Sequence, residues 1–171
     1  MGGSINDWEK LTKSCFDHLK PGGWIELQEP ETLITSDDDT ASKATASNEF
    51  LALSNNAADQ FGKELNMGRK YKQHLIAGFV DVRDEIFKIC KICFTPIGPW
   101  AKDPKLKEVG RCFLEHCLLG VDAYILGFIG KVLGCSESKC MILAAKVKAE
   151  LRDRKNHLYL LTHFVYGRKP T

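Results

Sequence analysis

The sequence predicts an α/β fold, on three observations. In residues 18–29, HLKPGGWIELQE, a helix end, a forced turn and a strand follow one another. Two further stretches read as strands: Phe79 to Phe94, rich in Val, Ile, Phe and Cys, and His157 to Gly167, with Tyr159, Leu161, His163 and Val165 on one face and Leu158, Leu160, Phe164 and Tyr166 on the other. Between them lie long segments with apolar residues at helical spacing.

Taken in order, a first helix is expected from about Asp7 to Leu19, with Trp8, Leu11, Cys15 and Leu19 on one face. Ser4-Ile5-Asn6-Asp7 has the Ser-x-x-acid form of a capping box, and Asn6 is an alternative cap. Pro21 stops the helix, and Gly22-Gly23 supply a turn that side chains would obstruct. The strand Trp24 to Glu29 puts Ile25 and Leu27 on one side and Trp24, Glu26 and Gln28 on the other. A fully buried parallel strand would be apolar on both faces, so these polar residues suggest an end that opens into a polar site. Glu31 to Ser47, with Asp37-Asp38-Asp39, reads as a solvated loop.

A helix is expected from about Asn48 to Leu65, carried by Phe50, Ala57, Ala58, Phe61 and Leu65. A shorter one follows with Tyr71, Leu75 and Ile76 inward, closed by Gly78. Thr95 to Trp100 is a rigid loop. Leu106 to Leu133 is a long helical pattern, bent or interrupted at Gly120 or Gly127 and ended by Gly134. Ser136 or Ser138 caps the next helix, carried by Ile142, Leu143, Val147 and Leu151.

At 171 residues the chain is long enough for one domain with a real core. It is 44% hydrophobic and 27% charged, and its net charge of +2 gives no general attraction to nucleic acid or an anionic membrane. No apolar run in the sequence reaches the roughly 18 residues of a membrane span; the longest, Leu118 to Leu133, is broken by Gly120, Asp122, Gly127, Gly130 and Lys131. The N-terminus has no apolar signal-peptide core, and Asn6 stands where a myristoylation pattern needs Ser or Thr. The odd count of seven cysteines favours free thiols in a reducing compartment, hence a cytoplasmic or nuclear protein. Cys90-Lys91-Ile92-Cys93 has zinc spacing but lacks a matching second pair, so no metal site is expected. No Ser-His-Asp or Cys-His arrangement is suggested by spacing, and no catalytic residue is assigned.

The segments GSINDW, HLKPGGWIELQE, AGFVDV, PIGPWAKDPKLKEVG, ELRDRKNHLY and FVYGRKP resemble the C-terminal half of fungal LaeA-like S-adenosylmethionine-dependent methyltransferases tied to secondary metabolism. The resemblance covers nearly the whole chain. It implies a class I methyltransferase (Rossmann-like) fold of which residues 1–171 form one partial, substrate-side domain. Trp24 to Glu29 would be the fifth strand, Phe79 to Phe94 would contain the sixth, and His157 to Gly167 would be the seventh, side by side as 5-7-6 with flanking helices.

The resemblance also implies S-adenosylmethionine as cofactor, but the family's cradle, a first strand followed by a glycine-rich turn, has no counterpart: no G-x-G-x-G occurs. The stretch IFKICKICF carries extra residues before PIGPW relative to that pattern. By position, Asp7 and Trp8 are cofactor-side candidates, with packing as the plainer role for Trp8. Glu26, Gln28 and Glu29 at the strand mouth, and Trp100 and Tyr124 as an aromatic wall, are substrate-facing candidates. The alternative is a non-catalytic interaction or regulatory module. As for partners, the methyl acceptor, small molecule or protein, is not specified, and a missing fourth strand would leave Trp24 to Glu29 as an exposed sheet edge open to a protein partner or self-association.

Overall fold

The protein, described here from a computed structural model over residues 4–86 and 94–171, is built on a sheet whose central strand is the last one in sequence. Strand β4 (Tyr159–Arg168) pairs along one edge with β1 (Trp24–Thr35), and along the other with β2 (Val80–Ile86) and β3 (Phe94–Pro96), all antiparallel. Within the expected strand at Phe79 to Phe94, the described residues form β2, and Phe94 opens β3. The doubled Ile-Cys, including Cys90 and Cys93, lies outside the described residues.

Helix α1 (Trp8–His18) is capped by Asp7, whose carboxylate accepts the Lys10 N–H at 2.8 Å. The cap is therefore neither Ser4 nor Asn6, because Asp7 already supplies an acceptor three residues before a free N–H. The PGG turn forms as expected. Gly22 has φ +78°, and the turn is tied to the C-terminus by Gly22 N–H to Lys169 O (3.0 Å) and Lys169 N–H to Gly23 O (2.8 Å).

β1 does not stop at Glu29. It runs on to Thr35, absorbing a bulge between Pro30 and Ile34 that shifts the register from Pro30 opposite Thr162 to Ile34 opposite Leu160. Pro30 is tolerated because β1 is an edge strand, where a missing N–H can face outward. The rest of the expected loop folds into α2 (Thr40–Lys43) and the first turn of α3 (Thr45–Gln60). That early start has a tertiary cause. Glu150, from α7 (Glu137–Arg152), accepts the Ala46 and Ser47 N–H groups at 3.0 and 2.8 Å, capping α3 from 103 residues away.

Phe61, expected inward, lies just past the helix end and is exposed. Ile76, also expected inward, is exposed on α4 (Gly68–Ile76), which closes at Ala77 in an ordinary helical conformation rather than at a left-handed Gly78. Asp81, in the left-handed region at φ +55°, holds the Arg168 guanidinium at 2.7–2.9 Å beside an irregularity in the β2–β4 pairing.

The long helical pattern runs unbroken from Pro104 to Leu133: α5 (Pro104–Asp122), a π-helical segment (Ala123–Ile129) and α6 (Gly130–Leu133), ended by Gly134 at φ +66°. Gly127 lies inside the π segment. By length and composition this helix could cross a membrane, where the glycines and charges in Leu118 to Leu133 lead to the expectation of no such span. Leu106, Gly110, Leu118, Val121, Ile125 and Ile129 form a buried stripe along it, while Val109, Leu119, Tyr124 and Leu126 are exposed.

Two apolar clusters flank the sheet. Ile25 and Leu27 join Trp8, Tyr71, Leu75, Phe79 and Val165 under α1 and α4. Ile34, Leu158 and Leu160 join α3, α5, the π segment and α7 in the larger one.

Candidate functional site

The bulge in β1 and the helices facing it enclose a cleft of about 500 Å³. Bulges of this kind bend a strand and re-aim its side chains. Ser47, Phe50, Leu51 and Ser54 line one side, at the spacing of a single face of α3. Phe113, Cys117, Gly120 and Val121 line another, again one face of α5. Tyr124 and Phe128 of the π segment complete it, their rings edge to face at 6.4 Å and 88°. Phe61 meets Phe128 in the same way at 6.1 Å, so Phe128 is held between two aromatic edges while Tyr124 is half exposed. π-helical turns recur at functional sites because the extra residue per turn re-aims the side chains after it. Burial pushes the Cys117 thiol up to about 11, so a neutral thiol, not a thiolate nucleophile, stands in this wall.

The floor, Glu29 to Thr32, is fixed by a hydrogen-bonded network. The Tyr71 hydroxyl donates to Glu29 at 2.9 Å. Arg69 forks onto both oxygens of Glu31 at 2.8 Å each, holding that carboxyl below the usual range. His163, 1% exposed, places Nε2 at 3.1 Å from Glu31 and Nδ1 at 3.1 Å from Asp84, stitching β1, β4 and β2 together. Gly68 seats α4 on that ring: a Cβ there would lie 2.9 Å from His163 Cδ2. The Thr32 N–H is held by Asn66 at 2.9 Å.

The expected site residues separate into three places. Glu29 and Tyr124 both line the cleft. Glu26 and Gln28 do not: they hydrogen-bond each other on the exposed opposite face of β1, as two-residue alternation requires. Trp100 donates its Nε1–H to Leu158 O at 3.0 Å and lines a separate cavity of about 360 Å³ with Arg111, Arg152 and Arg154. Asp7 is a helix cap, and Trp8 is buried with its ring 4.8 Å from Tyr71. Glu31, Thr32, Phe50, Phe113, Gly120 and Phe128 were not singled out from the sequence. The stripe 113-117-120-121-124-128 inside the long helix was the available signal.

The described residues do not fit the nucleotide part of a methyl donor. Among them the glycines with positive φ are Gly22, Gly62, Gly98 and Gly134, and of these Gly98 alone follows a strand and precedes a helix. The helix it precedes, α5, is already closed. Pro104 occupies its first position, and Asp103 accepts the Lys105 and Leu106 N–H groups at 2.9 and 3.0 Å, leaving no free N–H cradle for an anion.

No protein-family model matches the chain. It is 32% identical over 168 residues to methyltransferase pytC of Aspergillus terreus, covering 96% of this chain and 49% of pytC. It is 30% identical over 165 residues to the probable methyltransferase tdiE of Emericella nidulans, covering 96% of this chain and 50% of tdiE. Its homologues are fungal methyltransferases. Secondary metabolism regulator LAE1 of Cochliobolus heterostrophus is a further relative, at 26% identity over 171 residues, 98% of this chain and 54% of LAE1. The chain thus spans about half the length of the curated relatives it matches. Among solved structures, an N-methyltransferase of Haemonchus contortus in complex with phosphomonomethylethanolamine and S-adenosylhomocysteine covers 99% of this chain and 31% of its own at 17% identity and a TM-score of 0.39, too low to carry weight here.

Proposed function

We propose that this chain is the acceptor-side half of an S-adenosylmethionine-dependent methyltransferase of fungal secondary metabolism, working in the cytoplasm or nucleus. The observation that carries the reading is the alignment of 96% of the chain with half of a methyltransferase. In this reading β1, β4 and β2 stand for the fifth, seventh and sixth strands of a seven-stranded sheet. The outer edge of β1 then receives a strand from the donor-binding half. Thr32 gives its N–H to Asn66, and Pro30 has none to offer, so the stretch Trp24 to Glu29 is the part of that edge left for pairing. Without a partner strand, such an edge favours self-association, which appears as a concentration-dependent elution volume in size-exclusion chromatography.

Methyl transfer asks a protein chiefly for alignment of the attacking atom with the methyl group. The donor supplies an already activated methyl; the residues of this chain hold the acceptor. The aromatic and aliphatic walls bury its body, and Glu29, positioned by Tyr71, accepts a hydrogen bond or proton from its attacking group. A chimera in which this chain replaces the matching half of pytC tests the reading. Supplied with isotope-labelled S-adenosylmethionine and a fungal metabolite extract, it is expected to label small molecules, and Gly120→Leu, which fills the cleft, to stop labelling. A folded, donor-binding chimera that labels nothing would refute the assignment.

A further inference from the structure

We infer that the cavity beside Trp100, between α5 and the end of α7, binds a small molecule with an apolar ring body and a carboxylate head. The inference stands apart from the reading of the cleft as an acceptor site. The cavity's volume, about 360 Å³, lies in the range of small-molecule sites, roughly 300–1,000 Å³.

The walls are set before any ligand arrives. Leu158 O accepts the Ile97 N–H at 2.8 Å and the Trp100 Nε1–H at 3.0 Å. Gly98, at φ +101°, gives its N–H to Gly110 O at 3.0 Å. A Cβ on Gly110 would fall 2.1 Å from Gly98 O, so α5 seats against this loop only with glycine there. On the far side, the Asn156 side chain donates to Glu150 O at 2.9 Å and ties down the chain as it leaves α7. Walls fixed in this way lose little freedom on binding. The cavity is apolar inside, where Ile97, Leu118 and Leu151 are buried and the Trp100 indole offers a flat ring.

Charge comes from the rim. Arg111, Arg152 and Arg154 line the cavity, with Glu115 and Asp153. Two of these five are engaged: Arg111 pairs with Glu108 at 2.9 Å, and Asp153 accepts the Lys155 N–H at 3.0 Å. Arg152 and Arg154 make no hydrogen bond or ion pair among the described residues, and they leave the end of α7 two positions apart. Two unengaged guanidiniums thus face one unengaged carboxylate, Glu115, which belongs to α5. A guanidinium fork meets a carboxylate in two parallel N–H···O bonds, the geometry that suits an anionic head on the α7 side.

The test is calorimetric titration of the full chain with 2-naphthoate, 2-naphthol and 2-naphthylmethylamine, three ligands sharing one ring system. The naphthoate is expected to bind at least about tenfold more tightly than the other two. The double variant Arg152→Gln with Arg154→Gln should lose that preference. Lys10→Gln with Lys72→Gln removes the same charge from α1 and α4, outside the cavity lining, and should bind as the parent does. All four side chains are exposed, so both variants should keep the parent's circular dichroism and melting temperature.

Equal affinity for naphthoate and naphthol would overturn the inference. So would tighter binding of the amine, which would assign the cavity to Glu115. Parent-like naphthoate binding by the arginine variant would place the ligand elsewhere, and equal losses in the arginine and lysine variants would reduce the effect to net charge; either result sinks the inference. No methyl donor is present in the titration, and labelling by the chimera is read separately, so the methyltransferase reading stands or falls on its own.

Discussion

The two sides of the sheet are filled by different means. Beneath α4, charged and polar groups are locked to one another: His163 between Glu31 and Asp84, Arg69 forked onto Glu31, Tyr71 on Glu29, with Gly68 pressed against the imidazole. Beneath α3 and α5 the contacts are apolar and incomplete, and the helices leave a cleft with Gly120 open and Tyr124 half exposed. The closed side fixes the strand residues that form the floor of the open side. Substitutions on the first should act on stability, and those on the second on binding.

The largest effect is expected at His163. His163→Ala leaves Glu31 and Asp84 facing each other across a buried gap and should cost about 3–5 kcal/mol in urea unfolding. A loss under one kcal/mol would erase the distinction between the two sides. Tyr71→Phe removes a hydroxyl that donates to a carboxylate and should cost about 1.5–3 kcal/mol by the same measurement. Gly68→Ala forces a Cβ to within 2.9 Å of a ring that has no room to retreat, and should cost about 1–3 kcal/mol.

Acid should act on the closed side as well. The folded-state carboxyl of Glu31 is depressed, chiefly by Arg69 and further by His163, so its contribution is present above the ordinary carboxylate range and is lost as pH falls through the depressed value. Glu31→Gln should accordingly flatten the acid limb of a stability–pH curve measured from about pH 7 downward. The smallest effect is expected on the open side. Gly120→Ala should raise stability by about 0.5–1 kcal/mol, since the helix gains a better residue and the new methyl meets no neighbour.

Local chemistry was legible in the sequence. PGG forced a turn, Gly134 ended a helix, and alternation in Trp24 to Leu27 assigned the right faces. What escaped was set by distant partners. The start of α3 depends on Glu150, and the extension of β1 through PETLIT depends on pairing with Tyr159 and Leu160, so a polar stretch that looked like loop became strand and helix. Of the residues singled out at the strand mouth and on the long helix, Glu29 and Tyr124 line the cleft. Glu26 and Gln28 were grouped with Glu29 by proximity in sequence, although the pleat sends them to the other face. Gly120 was expected to bend or interrupt the helix, which instead runs through it; its place on the cleft lining was not legible, because that depends on which face meets β1.

The central claim is that the acceptor's walls are here and the donor's cradle is not. Calorimetric titration of S-adenosylmethionine into this chain and into its chimera with the donor-side half of pytC addresses it directly. The account predicts no binding heat from the chain and micromolar binding by the chimera. Micromolar binding by the chain alone would contradict it.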